Sequence, residues 1–124
     1  METKLFDSEL RLMELLWEKS GSTAKELATA AAVRIGWSKN TTYTVTKKLV
    51  AKGVIRREEP NFVCVPLLTR EQVIRTEADV LVNKFFDGSV KRLFASFLSE
   101  HKLSDNELNE LRQMIDSRSK PKGE

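Results

Sequence analysis

A chain of 124 residues is long enough for one domain, or for one small domain with an appended segment for oligomerisation. Hydrophobic residues make up 40% of it and charged residues 31%, which predicts a folded chain and excludes a disordered one. The formal net charge is only +3, and the single Cys64 and single His101 exclude an internal disulfide and leave almost no ligands for a metal site.

Charges interrupt every apolar stretch of the sequence, and the residues from Met1 to Lys4 do not have the pattern of a signal peptide. We therefore expect a cytoplasmic protein that does not insert into a membrane. The sequence has no Gly-rich phosphate loop and no His paired with Cys or Asp at a useful spacing, so we expect no metal, no cofactor and no enzymatic activity.

The first two helices are predicted from apolar residues at helical spacing. The first begins at Asp7 or Ser8 as N-cap and ends near Lys19. Thr23 and Glu26 have the spacing of a capping box and begin a second helix that is rich in alanine. Small side chains let another helix approach closely, as in the supporting helix of a helix-turn-helix.

Ser38 can cap a third helix, predicted over Lys39–Lys52. The residues expected on its inward face are Thr42, Val45, Thr46 and Leu49. Two short strands over residues 54–57 and 62–65, joined by a turn, follow it. Three helices followed by a hairpin predict a mainly α fold with a small β-hairpin wing, which is a winged helix-turn-helix.

Positive charge is concentrated in this part of the chain. Residues 1–68 contain eleven Lys or Arg against eight Asp or Glu, whereas residues 69–124 contain ten of each. No acid lies between Glu26 and Glu58, although seven basic residues do. Such a segment repels itself, which favours a polyanion as its partner.

The third helix and the wing therefore predict an interface for double-stranded DNA, because a winged helix places its third helix in the major groove. We expect these side chains to face the bases: Asn40, Thr41, Tyr43 and Thr44. We expect these to hold phosphate: Lys39, Lys47, Lys48, Lys52, Arg56 and Arg57. The alternative is an ordinary solvated surface, and Tyr43 in particular could either touch DNA or only shield the helix.

Residues 69–124 predict a second domain made of three helices without strands, after a first domain over residues 1–68. Thr69 with Gln72, and Ser104 with Glu107, have the spacing of capping boxes. The apolar residues expected to form a dimer interface are Ile74, Leu81, Phe85, Leu93, Phe94, Phe97, Leu108, Leu111 and Ile115. In the alternative arrangement, these helices fold back onto the first domain of a monomer.

Several segments together resemble a known family. They are Leu5 to Trp17, Trp37-Ser38 with Thr41 and Thr44, and Lys48-Leu49 through Lys52-Gly53-Val54-Ile55. The pattern is similar to the BlaI/MecI/CopY family of bacterial repressors over nearly the whole chain. The resemblance implies a winged-helix domain, a helical dimerisation domain and an inverted-repeat operator. In the penicillinase branch it also implies a membrane sensor peptidase and cleavage within the dimerisation domain.

The sequence departs from the family at three places. Ser96-Phe97 stands where the penicillinase branch has its scissile Asn-Phe bond, so Phe97 matches and Ser96 does not. The clustered cysteines of the copper-responsive branch are absent, which argues against copper sensing. Thr42 and Tyr43 stand where the family often has an aliphatic residue and an arginine, which points to a different operator.

The leading hypothesis is a homodimeric repressor that is released by a signal acting on its C-terminal domain, either proteolysis or a ligand. Two rivals remain at this point. One is a winged-helix module that docks an acidic protein. The other is a regulator that binds a small molecule between its helices.

Overall fold

A computed structural model describes residues 4–100 and 103–119 of the chain. Within them it contains six helices and one two-stranded sheet, in this order: α1 (Asp7–Glu18), α2 (Ala24–Arg34), α3 (Lys39–Ala51), β1 (Ile55–Glu58), β2 (Val63–Pro66), α4 (Arg70–Phe85), α5 (Val90–Glu100) and α6 (Asp105–Ser119). None of the helices in this part of the chain is both long and apolar enough to cross a membrane. His101 and the first three residues lie outside the described ranges.

The predicted fold class is confirmed, with three helices followed by a hairpin and then three more helices. The boundaries shift by one or two residues. The N-cap of α1 is Phe6 in extended conformation, not Asp7 or Ser8, because the Glu9 carboxylate reaches back to the Phe6 N–H. Helix α3 ends at Ala51, one residue earlier than expected, and Lys52 is its C-cap.

Capping boxes, in which two residues exchange side-chain and backbone hydrogen bonds, start three of the helices where the sequence predicts. At α2 the Glu26 N–H donates to the Thr23 hydroxyl over 3.0 Å, and the Thr23 N–H donates to the Glu26 carboxylate over 2.8 Å. The bond from the Thr23 backbone, with help from Lys19, lowers the pKa of Glu26. The same pair of bonds begins α4 at Thr69 and Gln72, and α6 at Ser104 and Glu107.

The chain forms two compact units, and the division falls between Asp79 and Val80, inside α4. The sequence instead predicts a boundary after residue 68, before that helix begins. Val73, near the start of α4, is buried in the core of the first unit, so this end of the helix packs with α1, α2, α3 and the hairpin. The assignment of residues 69–124 to dimerisation stays a prediction.

The core of the first unit lies between α1, α2, α3 and the hairpin. Its fully buried side chains include Leu12, Met13, Leu16, Leu27, Leu49, Val54 and Ile55. All four residues predicted on the inward face of α3 are buried, which confirms the orientation of that helix. The two threonines among them are satisfied internally. The Thr42 hydroxyl donates to the Ser38 carbonyl over 3.2 Å, and the Thr46 hydroxyl donates to the Thr42 carbonyl over 2.8 Å.

The hairpin is attached to the start of α2. Strands β1 and β2 pair antiparallel, with Ile55 opposite Pro66 and Glu58 opposite Val63. The Cys64 N–H donates to the Ser22 carbonyl over 2.8 Å. This backbone bond fixes the base of the wing to the helical core.

Cys64 provides a test of how completely the contact between the hairpin and the start of α2 excludes water. Burial raises the pKa of its thiol from 9.0 to about 11, although the positive charge of Arg57 acts in the opposite direction. Between those values the unfolded chain has lost the thiol proton and the folded chain has kept it, so stability falls as the pH rises above 9.

We therefore expect the free energy of unfolding of the natural chain, relative to Cys64→Ala, to fall by about 1 kcal/mol between pH 8 and pH 10. Urea unfolding of both proteins at both pH values measures this change. The other titrating groups are the same in the two proteins, so their contributions cancel in the difference. A difference between the two proteins that does not change with pH contradicts a buried thiol.

Candidate nucleic-acid interface

The candidate interface begins at the N-terminal end of α3. The Ser38 side chain caps the helix by accepting from the Thr41 N–H over 3.1 Å, and its hydroxyl donates to the Thr41 Oγ1 over 2.9 Å. The first N–H groups of a helix carry partial positive charge, so this end attracts anions. The Thr41 hydroxyl is exposed and its hydrogen remains available to an acceptor.

The side chains opposite the buried face of α3 are polar and exposed. With 3.6 residues per turn, Asn40, Thr44 and Lys47 lie farthest from the core, and Thr41 and Lys48 flank them. The amide and hydroxyl groups therefore lie on the first turns of the helix and the ammonium groups farther along. A duplex laid on this face would meet groups that can pair with base edges at one end and phosphate at the other.

The ammonium groups of Lys47 and Lys48 have no ion-pair or hydrogen-bond partner within residues 4–100 and 103–119. The acid-free stretch around them explains this, because no carboxylate of α3 can approach. Two unpaired cations on one helix leave a local positive potential that an external anion can neutralise.

Tyr43 does not lie at the centre of the exposed face. It is half-buried and packs against the apolar core of the first unit, and its ring lies 5.8 Å from the Lys39 ammonium. Tyr43 is half-buried because its position on the helix is next to the buried face that Thr42 and Thr46 form. Tyr43 can contribute only the edge of its ring and its hydroxyl to a ligand on this face. Trp37 packs inward against the same core.

Lys52 is placed differently from the sequence expectation. Its ammonium donates to the Glu9 carboxylate over 2.6 Å and to the Lys4 carbonyl over 3.0 Å. The ammonium expected to hold phosphate is therefore hydrogen-bonded within the protein. Glu9 is only 2% exposed. This carboxylate was not predicted from sequence, although Glu9 continues the inward spacing of Leu12, Met13 and Leu16 on α1, which is the signal that indicates it.

The wing arginines are also paired within the hairpin. Arg56 Nη2 lies 2.9 Å from the Glu58 carboxylate, and Arg57 pairs with Glu59 and stacks over the Phe62 ring at 3.8 Å. The hydrogen bond from Arg57 lowers the pKa of Glu59. Both ion pairs are exposed, and such pairs contribute little, so a phosphate can replace either carboxylate.

The second unit exposes most of the residues predicted to form a dimer. Leu93 and Leu111 are half-buried. The exposed residues of the second unit are Leu81, Phe85, Phe94, Phe97, Leu108 and Ile115, and Ile74, which is also exposed, lies in the first unit. Helix α5 has no buried residue at all, and Ser96 within it is half-buried. A groove of about 710 Å³ lies between α5 and α6, lined by Phe94, Leu98, Leu111, Met114, Ile115 and Arg118.

The chain was compared with known proteins. The model of the penicillinase repressor family matches residues 5–117. Over 123 residues the chain is 26% identical to the penicillinase repressor of Bacillus licheniformis, covering 98% of this chain and 96% of that protein. Over 123 residues it is 24% identical to the methicillin resistance regulatory protein MecI of Staphylococcus aureus (strain N315), covering 95% and 100%. The solution structure of the Bacillus licheniformis BlaI monomeric form in complex with the blaP half-operator has a TM-score of 0.49 and 25% identity, covering 56% of this chain and 88% of that chain.

The exposed, unpaired Lys48 gives the first test of the interface. We expect Lys48→Ala to weaken binding to every duplex and to reduce the slope of log affinity against log salt by about 1, because one counterion fewer is released. Fluorescence anisotropy at several salt concentrations measures the slope. Lys91→Ala, at an exposed lysine of α5, is the matched control and leaves the slope unchanged. A slope that Lys48→Ala does not change contradicts the phosphate assignment.

Proposed function

The chain belongs to the penicillinase repressor family, whose members are DNA-binding transcriptional repressors and not enzymes, and from that premise we propose that it acts in the cytoplasm as a homodimer on an inverted-repeat operator. In this proposal two copies of α3 enter successive major grooves of one duplex. Occupation of the operator then excludes RNA polymerase from the promoter.

The exposed face of α3 carries the proposal. It has unpaired ammonium groups, a capped N-terminal end and no acid, and its opposite face is fixed in the core. An acidic protein could also be attracted to such a face, but the family assignment favours DNA. We assign the contacts with the bases to Asn40, Thr41 and Thr44, with Tyr43 at the edge of the contact.

Phosphate contacts in the proposal come from Lys39, Lys47, Lys48, Arg56 and Arg57. The two arginines of the wing exchange their exposed carboxylate partners for phosphate when DNA arrives. Lys52 is left out of this set because its ammonium is bound to Glu9 and the Lys4 carbonyl.

Dimerisation is proposed through α4, α5 and α6. Each large apolar side chain removed from water contributes about 1.5 to 3 kcal/mol, so half a dozen per subunit can offset the roughly 4 to 15 kcal/mol cost of association. A two-fold axis between the subunits would place two recognition helices on half-sites about one helical turn, or a multiple, apart.

Release is proposed to act on the second unit. Cleavage at Ser96-Phe97 by a membrane sensor peptidase is one route. It requires local opening, because the bond lies inside α5. No residue of that helix is buried within one subunit, so the contacts between the subunits decide how easily the helix opens. The groove between α5 and α6 favours a second candidate, a small apolar inducer that separates the subunits. A search for a cleaved fragment ending near Ser96, together with thermal shifts against candidate inducers, separates the two.

Base recognition is tested at Thr44. We expect Thr44→Val to lower the ratio of operator to random-duplex affinity about threefold to tenfold, because it removes one hydroxyl at nearly constant volume. Thr29→Val removes an exposed hydroxyl of α2 that bonds to the Lys25 carbonyl and is the control. Equal ratios for Thr44→Val and the natural chain contradict the assignment.

The dimer is tested at Phe94, which is 51% exposed. Sedimentation of the full chain at micromolar concentration is expected to give a dimer, and Phe94→Asp a monomer, because a carboxylate cannot be buried there unpaired. Val33→Asp places the same charge on an equally apolar exposed site of α2 and keeps the dimer. A natural chain that sediments as a monomer contradicts the proposal.

A further inference from the structure

A buried carboxylate lies between α1 and the end of α3. Glu9 is 2% exposed, and its Oε1 accepts hydrogen bonds from the Phe6 N–H over 2.8 Å and from the Lys52 ammonium over 2.6 Å. An ionised group in such a position is stable only when a charged partner compensates for the loss of water. Lys52 is the partner that the structure provides.

The ammonium of Lys52 is held by the N-terminal segment from several sides. Besides Glu9 it donates to the Lys4 carbonyl over 3.0 Å, and it lies 4.5 Å from the centre of the Phe6 ring. The Lys52 side chain is 29% exposed, whereas Lys47 and Lys48 are exposed residues without such contacts. Its charge is therefore directed into the protein and away from the exposed face of α3.

This contact holds α3 in a way that the apolar core does not. Leu49, the nearest buried residue of the helix, makes apolar contacts, which have no preferred direction. A charge-assisted hydrogen bond is directional and short, so it fixes the axial position and the rotation of the helix end. A small displacement of α3 would move the Thr44 hydroxyl relative to the base edges of a bound duplex, because a hydrogen bond depends on distance and angle more steeply than the attraction between an ammonium group and phosphate does.

We propose that the Glu9–Lys52 ion pair is a positioning contact for DNA recognition: it sets α3 against α1, and Lys52 acts on DNA through Glu9 and not through phosphate. The inference rests on the proposed function, because it takes α3 as the helix that reads DNA.

Lys48 provides the matched comparison, because it lies on the same helix, has the same charge and lacks a partner in the described residues. A direct phosphate contact releases a counterion and changes the salt dependence of binding, whereas a positioning residue changes affinity and discrimination without doing so. The two roles are therefore separable in one titration series.

The experiment uses the full chain and a duplex from the region upstream of its own gene, at a temperature where circular dichroism shows the variants to be folded. We expect Lys52→Met to raise the operator Kd about tenfold and to lower the ratio of operator affinity to random-duplex affinity. The slope of log affinity against log salt is expected to stay unchanged. Lys52→Arg keeps the charge and recovers most of the affinity. Lys48→Ala lowers the slope by about 1.

Glu9→Gln decides the question if Lys52→Met does not fold, because it removes the buried charge and keeps an acceptor for the Phe6 N–H. It is expected to raise the operator Kd with the slope unchanged. A fall in slope for Lys52→Met, or variants that lose stability but bind the operator as the natural chain does, overturns the inference. Failure of the natural chain to bind the duplex overturns the proposed function instead, so the two failures are distinct.

Discussion

The structure depends on the burial of one face of α3. Thr42, Val45, Thr46 and Leu49 are spaced so that all four enter the core, and the threonine hydroxyls bond within the helix and need no outside partner. Because this face is fixed, the opposite face is fixed as well. Within the described residues the ammonium groups of Lys47 and Lys48 on that face have no ionic partner, which is the property on which the assignment to DNA rests.

The helices and their starting points could be predicted from sequence because local rules decide them. Valine, leucine and threonine at three- and four-residue steps predicted the inward face of α3, and capping boxes at Thr23, Thr69 and Ser104 predicted the starts of α2, α4 and α6. The order of helices and hairpin then predicted the winged helix. These elements depend on neighbours within one turn, which a sequence displays.

The partners of charged residues could not be predicted in the same way. Lys52 pairs with Glu9, forty-three positions away, so its role appears only when α1 and α3 have packed. A tally of charges counts Lys52 and Lys48 alike, although one ammonium is bound internally and the other is open. The pairing of Arg56 with Glu58 could be predicted from the sequence more easily, because residues two apart on a strand lie on the same face. Tyr43, whose role the sequence left open, lies at the margin between the two faces of α3.

In the proposed function, α3 and the wing form the surface that binds DNA. Backbone amide chemical shifts of the full chain, recorded while a duplex from upstream of its own gene is added, test this most directly. The account predicts that the largest changes lie between Asn40 and Lys48 and in the hairpin. Changes centred on α5 and α6, or no change at low salt, would contradict it.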